Sequence, residues 1–342
     1  MQEVIKIIPI NAEIYPAFYT LVQSTQWGNP LLPIEYNNKL WGDVIYRNDE
    51  IIGGWVGLIR GDIPVARIIT KSVYFDSYPI FKTKTLEEQC LPILVNNIKN
   101  HAKKDRVVML NLTHWVRGGQ SITDINETNA TFLNSLQYTE EELWKNIERT
   151  QRNKIRKGEK NNVEVLVLQN DKSLKYLNDF QLLRQKTQRH ALLNNSNASM
   201  LLKANDYFEN LFKDSKTTLF VAIVDGKTAS VALMLHSGNT VYYYSGGSDY
   251  ELNKATGASA YLIWKALCFY REKKVISFDM GGVPVNPDSN HPAYGVYTFK
   301  KSFGGEYKEF EGGKIIIAPF RYKLLQFLLS QRKLLRFFST KL

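Results

Sequence analysis

VISFDMGGVPVNPDSNHPAYGVYTFKKSFGGEYKEFEGG, residues Val275 to Gly313, is the stretch whose reading decides the fold. It opens with a short apolar run, Val275 to Met280, that carries Asp279 near its end and meets the pair Gly281-Gly282. Such a run reads as a buried strand ending in a turn. Pro, Asn, Asp, Ser and His residues then form a reversing loop. Phe299-Lys300-Lys301 lies in a compact segment closed by Gly304-Gly305, the signal of a short helix with a glycine C-cap. A return strand completes the unit. The opening run is too apolar for a sheet edge, so Asp279 is expected at the exposed end of a central strand, with Lys300 facing the same crevice. A carboxylate, free backbone N–H groups and a lysine in one crevice suit an anionic or acyl ligand.

Working back from this stretch, TLFVAIV, TASVALMLH and TVYYYS read as three strands joined by turns at Asp225-Gly226 and Gly238-Asn239. The segment SGGSDYELNKATGASAYLIWKALCFYREKK then reads as a loop, Asn253 to Ala258, entering a long helix. Gly257 at that entry is explained first by helix-entry geometry, with a phosphate contact at a helix N-terminus as the other reading. Farther upstream, Thr139 with Glu142 forms a capping box opening a helix that includes ERTQRNKIRKGEK. Arg149, Arg152, Arg156 and Lys160 share one face of it by i, i+3 and i+4 spacing. A solvated basic face and a phosphate-contacting face fit this pattern equally.

The first part of the chain reads as a β-α-β alternation. Glu3 to Ile8 is an edge strand and Ile14 to Gln23 a helix. DVIYR and EIIGGWVGLIR flank an Asn48-Asp49 turn, and Gly53-Gly54 signals a bulge or a close approach to the backbone. Val65 to Thr70 is a further strand, Leu86 to Lys104 a helix and RVVMLNL a buried strand. VEVLVL opens a second domain, Asp179 to Ala191 is helical, and LLNNSNASM is a polar loop. After the central stretch, Lys314 to Ala318 is a strand and Pro319 stands at the first position of a terminal helix. The expected division is 1–138, then 139–318, with helix 319–342 packing back on the first domain or touching an anionic membrane surface through its second half. No internal repeat is legible.

With 342 residues, 44% hydrophobic and 23% charged, the chain is large enough for two folded domains. Its formal charge of +11 favours polyanionic partners such as RNA, nucleotide-linked substrates or anionic lipid. Cys90 and Cys268 lie far apart in helical patterns, which argues against a disulfide framework and for a reducing compartment. The five histidines lack ligand spacing, so no metal site is expected. No long uncharged apolar run spans a bilayer, and the N-terminus lacks a leader pattern, so a cytoplasmic protein is expected.

Two motifs in the central stretch resemble the signature of the Fem family, peptidoglycan-bridge aminoacyltransferases of the GNAT superfamily. Phe278, Asp279 and Gly282 match a Phe-Asp-x-x-Gly strand end, and Phe299, Lys300, Phe303 and Gly304 match a Phe-Lys-x-x-Phe-Gly helix. Gln23, Ser24 and Trp27 resemble the family's Gln-Ser-x-x-Trp entry, and Arg152, Ile155, Arg156 and Lys157 its basic junction segment. The resemblance runs from Gln23 to about Leu325. It implies an α/β (α+β) chain of two GNAT-like domains, each a mixed, mostly antiparallel sheet flanked by helices, with the C-terminal helix returning to the first domain. It implies transfer of an amino acid from aminoacyl-tRNA, as co-substrate, to an amine of a nucleotide- or lipid-linked peptidoglycan precursor, with no bound cofactor. The glycine-rich cradle of acetyl-CoA-using relatives is reduced here to Gly257, so an acyl-CoA-dependent N-acyltransferase of envelope metabolism is the alternative, and a non-catalytic tRNA- or membrane-binding protein the second.

The same resemblance nominates residues. Lys300 is the candidate contact for an oxyanion or a donor phosphate, against an exposed helix lysine. Asp279 is the candidate to orient or deprotonate the amine, against a plain cap of the Gly-Gly turn. Phe299 shapes the pocket or packs in the core. Trp27, Lys39, Tyr244, Gly281, Gly282, Arg152 and Arg156 are the candidate substrate-binding positions.

Overall fold

The computed structural model describes residues 5–24, 40–61, 67–75, 77–112, 122–193 and 205–339. The chain divides into two units, Met1–Thr128 with Phe310–Leu342, and Asn129–Glu309.

The first unit starts with β1 (Ile5–Pro9), α1 (Tyr15–Ser24), β2 (Leu40–Arg47) and β3 (Glu50–Arg60). Asn48 and Asp49 take φ of 50° and 64°, the tight hairpin turn that two short polar residues between apolar runs encode. Next come α2 (Arg67–Thr70), β4 (Ser72–Phe75), β5 (Ile80–Phe81), α3 (Lys84–Lys104) and β6 (Met109–Leu112). The sheet order is β1-β2-β3-β4-β6, with β5 added beside β3. Its pairs are antiparallel except β4 and β6, which run parallel across α3. The buried face of α3 (Cys90, Leu91, Leu94, Ile98) packs into a core with Trp55, Val73, Phe75 and Leu110.

Two expectations for this region change. Arg67–Thr70, inside the expected Val65 to Thr70 strand, is helical, and pairing starts at Ser72. The Thr70 hydroxyl donates to the Gly61 carbonyl at 2.5 Å and closes a turn, so Ser72 is the residue that comes into register with Arg60. The Gly53-Gly54 pair answers to packing. A Cβ on Gly53 would lie 2.3 Å from the Phe81 ring, and one on Gly54 2.8 Å from the Phe18 ring.

β7 (Ile125–Ser135) carries the chain into the second unit. There α4 (Glu140–Asn146) is opened by the Thr139–Glu142 capping box, with both reciprocal bonds formed. The expected continuous helix breaks at Ile147, whose ψ of 135° is extended, and restarts as α5 (Arg149–Lys160). Ile147 and Ile155 are both buried in the core of this unit, Ile147 from the extended link and Ile155 from α5. The rest of the unit is β8 (Glu164–Leu168), α6 (Asp171–Leu174), α7 (Leu177–Leu193), α8 (Asn205–Lys213), β9 (Thr217–Val224), β10 (Lys227–Ser237), β11 (Thr240–Ser248), α9 (Tyr250–Thr256), α10 (Ala258–Glu272), β12 (Ser277–Asp279) and α11 (Tyr294–Lys301). β13 (Glu306–Ile316) leads back to the first unit, which α12 (Pro319–Ser339) completes. The sheet order is β7-β12-β11-β10-β9-β8, antiparallel except for β11 beside β12. Both units thus share a plan: an antiparallel meander, a helical crossover, and one parallel pair.

Unit boundaries fall at 128/129 and 309/310, inside β7 and β13, and not at the expected 138 and 318. A boundary inside a strand has no turn or composition signal to betray it. The expected loop from Asn253 to Ala258 is the end of α9, capped by the Asp249 carboxylate on Leu252 N, and the start of α10, with Gly257 between them at φ 76°. Most of the expected polar loop LLNNSNASM lies outside the described residues. No helix among the described residues is long and apolar enough to cross a membrane.

Candidate functional site

β12 lies between β7 and β11, and Phe278, Asp279 and Met280 have no exposed surface. It pairs with β11 over only three positions, Thr240 to Tyr242. Beyond Asp279 the two strands part, and β11 runs on to Ser248. A register shift opposite Leu233 and Met234 leaves Tyr244 as the extra residue of a bulge, between Tyr243 and Ser245. Bulges re-aim side chains next to sites. A cavity of about 310 Å³ opens where the strands part, lined by β11 from Tyr243 to Ser248, by Gly295, Val296, Phe299 and Lys300 of α11, and by Asn253, Ser259, Ser230 and Thr187.

Lys300 is the charged residue of this lining. Its side chain is 9% exposed, its ammonium donates to the Gly282 carbonyl at 3.1 Å, and it stands 5.6 Å from the Tyr243 ring centre. Burial pulls this ammonium down to about 8, with the Asp279 charge opposing the fall. At neutral pH it remains mostly a cation, in a place where water screens it little. Burial pushes the Tyr243 phenol up to about 12, so it stays protonated. Phe299 faces the cavity and packs edge-on to Phe303, ring centres 5.3 Å apart.

Asp279 does not reach the cavity. Its exposed position was the sequence expectation; instead Oδ1 accepts from the Thr131 hydroxyl at 2.5 Å and from Gly281 N at 2.8 Å. The reason is the neighbouring strand: β7 covers β12 through Leu133 and Asn134, so the strand end is roofed. Gly281 takes φ 77°, and a Cβ there would lie 2.6 Å from the Tyr243 carbonyl, so no side chain fits. Gly281 and Gly282 are therefore the backbone turn that receives Lys300; neither lines the cavity.

Arg152 and Arg156 have structural partners. Arg152 donates to the Trp144 and Lys145 carbonyls at the end of α4, at 3.3 and 3.2 Å, and Arg156 stands 5.3 Å over the Trp144 ring. Neither lines the cavity. Trp27 and Lys39 lie outside the described residues.

Residues that sequence reasoning passed over complete the site. Ser259 N donates to Asn253 Oδ1 at 2.8 Å, and the Ser259 and Ser230 hydroxyls are 3.0 Å apart. One of the first N–H groups of α10, that of Ser259, is thus engaged by Asn253 at the place where a phosphate would seek it. Asn253 had a readable signal, since an Asn six residues before a Ser at a helix start fits a local cap; Thr131 and Tyr243 had none. No histidine, cysteine or carboxylate lines the cavity among the described residues, so its serines have no base beside them. The arrangement is a polar slot with one cation, suited to hold an acyl group and its developing negative charge.

Residues 224–330 match the FemAB family. The chain is 31% identical over 109 residues to a lipid II:glycine glycyltransferase of Staphylococcus saprophyticus, a match covering 30% of this chain and 26% of that protein. It thus spans about a quarter of that relative's length. In fold the chain resembles a crystal structure of FemX, with TM-score 0.70 and 17% identity over 93% of this chain and 99% of that one. It also resembles a tandem GNAT protein from the clavulanic acid biosynthesis pathway, with TM-score 0.50 and 11% identity over 92% and 99% of the two chains.

Proposed function

We propose, from the match of residues 224–330 to the FemAB family, that this protein transfers an aminoacyl group to an amine of a peptidoglycan precursor. Aminoacyl-tRNA is the donor and a lipid- or nucleotide-linked muropeptide the acceptor. The work is then done in the cytoplasm, at the inner membrane face when the acceptor is lipid-linked. The observation that carries the reading is Lys300: a buried cation held by the Gly282 carbonyl, facing a cavity that holds no other charged side chain among the described residues. Family likeness of the glycyltransferase supports the acceptor class.

In the reaction the acceptor amine attacks the ester carbonyl carbon of the donor. A C–N bond forms, the C–O bond to the ribose breaks, and the proton lost by the amine passes to the departing oxygen. The Lys300 ammonium supplies positive charge to the tetrahedral oxyanion, which is a transition-state contact and therefore raises turnover. Asp279, being enclosed, serves as a positioning residue: its charge keeps Lys300 protonated and its Oδ1 shapes the Gly281 turn. Proton removal from the amine falls to the substrates themselves or to water, since no base lines the cavity among the described residues.

The test is to incubate the protein with a pool of charged tRNAs and either muropeptide, and in parallel with acyl-CoA. An acceptor heavier by one amino-acid residue in the tRNA arm is the expected result. Acyl addition from the CoA arm alone would overturn the donor, and an unchanged acceptor in both arms would overturn the reading.

A further inference from the structure

α12 leaves one apolar face uncovered within its unit. Phe320 is 81% exposed, Leu324 39%, Phe327 58% and Leu328 42%. Spacing of i, i+4, i+7 and i+8 puts all four on one stripe. Ile68 of α2, 60% exposed, extends it, because Arg321 ties the two helices together by donating to the Ile68 carbonyl at 3.1 Å and to the Arg106 carbonyl at 2.9 Å. The opposite side of α12 is the packed one, with Tyr322 and Leu325 half-buried. The 21 residues of the helix hold no acidic residue, while Arg321, Lys323, Arg332, Lys333 and Arg336 are basic.

We infer that this face docks on an anionic phospholipid surface, with Ile68, Phe320, Leu324, Phe327 and Leu328 in the boundary between headgroups and acyl chains and the exposed Lys323 beside them toward the phosphates. Four large apolar side chains on one stripe of a helix that carries basic and no acidic residues, extended by Ile68 of α2, make the signature of a helix that lies in the plane of a membrane. A second copy of the chain fits worse, since it would bring another +11 against the same charge. The inference stands apart from the transferase reading, because binding is measured without donor or acceptor.

The experiment is co-sedimentation of the full chain with phosphatidylglycerol-containing vesicles and with pure phosphatidylcholine vesicles. Binding to the first, little binding to the second, and release by high salt are expected. Phe320→Ser with Phe327→Ser should weaken binding at least tenfold, and since both side chains are exposed the melting temperature should hold. Phe320→Trp keeps the apolar surface, and its emission should shift to the blue on anionic vesicles. No sedimentation with either vesicle, undiminished binding by the double variant, or an unshifted Trp emission would overturn the assignment. So would a concentration-dependent dimer that the double variant abolishes, which would give the face to a second copy.

Discussion

Asp43 in the first unit and Asp279 in the second both lack exposed surface, yet their surroundings differ in kind. Asp43 Oδ2 accepts from Asn97 Nδ2 at 2.9 Å, and Oδ1 from His101 Nδ1 at 2.8 Å. His101 Nε2 lies 3.4 Å from Asp105, which also accepts from Trp41 Nε1 at 2.7 Å, and Trp41 stacks on the imidazole with centres 4.4 Å apart. Each of these side chains has a partner within the protein, and together they fasten α3 to β2. Around Asp279 the network is left open. Its cationic neighbour Lys300 has one protein acceptor, Gly282, and turns its remaining donors to a cavity. Buried charge that is fully answered holds a fold together; buried charge with donors to spare is poised for a ligand.

Breaking the closed network should have the largest effect. Asp43→Ala strands His101 and Asn97 and should cost about 3 kcal/mol of stability, the scale for removing one partner from a buried pair. Denaturant midpoints measure it, and turnover of the protein that stays folded should hold. An unchanged midpoint would show the network to be passive.

The open network should respond in the opposite way. Lys300→Met should lower turnover on the order of a hundredfold, as removal of an oxyanion donor does, while the protein melts no lower than the parent. The sign follows from the depressed ammonium. Between about 8 and the ordinary lysine value of 10.5 the unfolded chain holds a proton that the folded one has released, so this residue's share of stability rises with pH there. Lys300→Met should lose that rise. A variant that is fully active at saturating donor and acceptor removes Lys300 from the chemistry.

The smallest change sharpens the comparison. Turnover that needs the Lys300 cation should fall as pH climbs through about 8. Asp279→Asn keeps an oxygen for Thr131 and Gly281 N but drops the charge that favours protonated Lys300. Its alkaline limb should therefore lie at lower pH than the parent's, with the neutral-pH rate reduced less than in Lys300→Met. An alkaline limb in the same place would mean that Asp279 does not act through Lys300.

Local signals were legible wherever one residue's chemistry dictates its own backbone. The Thr139–Glu142 capping box, the Asn48-Asp49 and Asp225-Gly226 turns and the Pro319 start are all where the sequence puts them. The motif pair around Asp279 and Lys300 was legible too, and one of its residues, Lys300, lines a cavity of the second unit. What failed were statements about exposure and boundaries. Asp279 was expected in the open and lies under β7, a strand more than 140 residues earlier in the chain, paired with β12 in a register that no local pattern encodes.

By itself, then, the sequence determined the meander, most of the helices and the turn glycines, because periodicity, caps and positive φ are properties of a few adjacent residues. Only the tertiary structure decided that the two units repeat one connectivity, that β11 and β12 part after three pairs, and that Tyr244 is bulged toward the gap. Only it decided that Arg152 and Arg156 are spent on α4 while Lys300 is kept for the cavity. Those outcomes depend on which distant strands and helices lie side by side, and burial, which turns a common lysine into a depressed cation, exists only once they do.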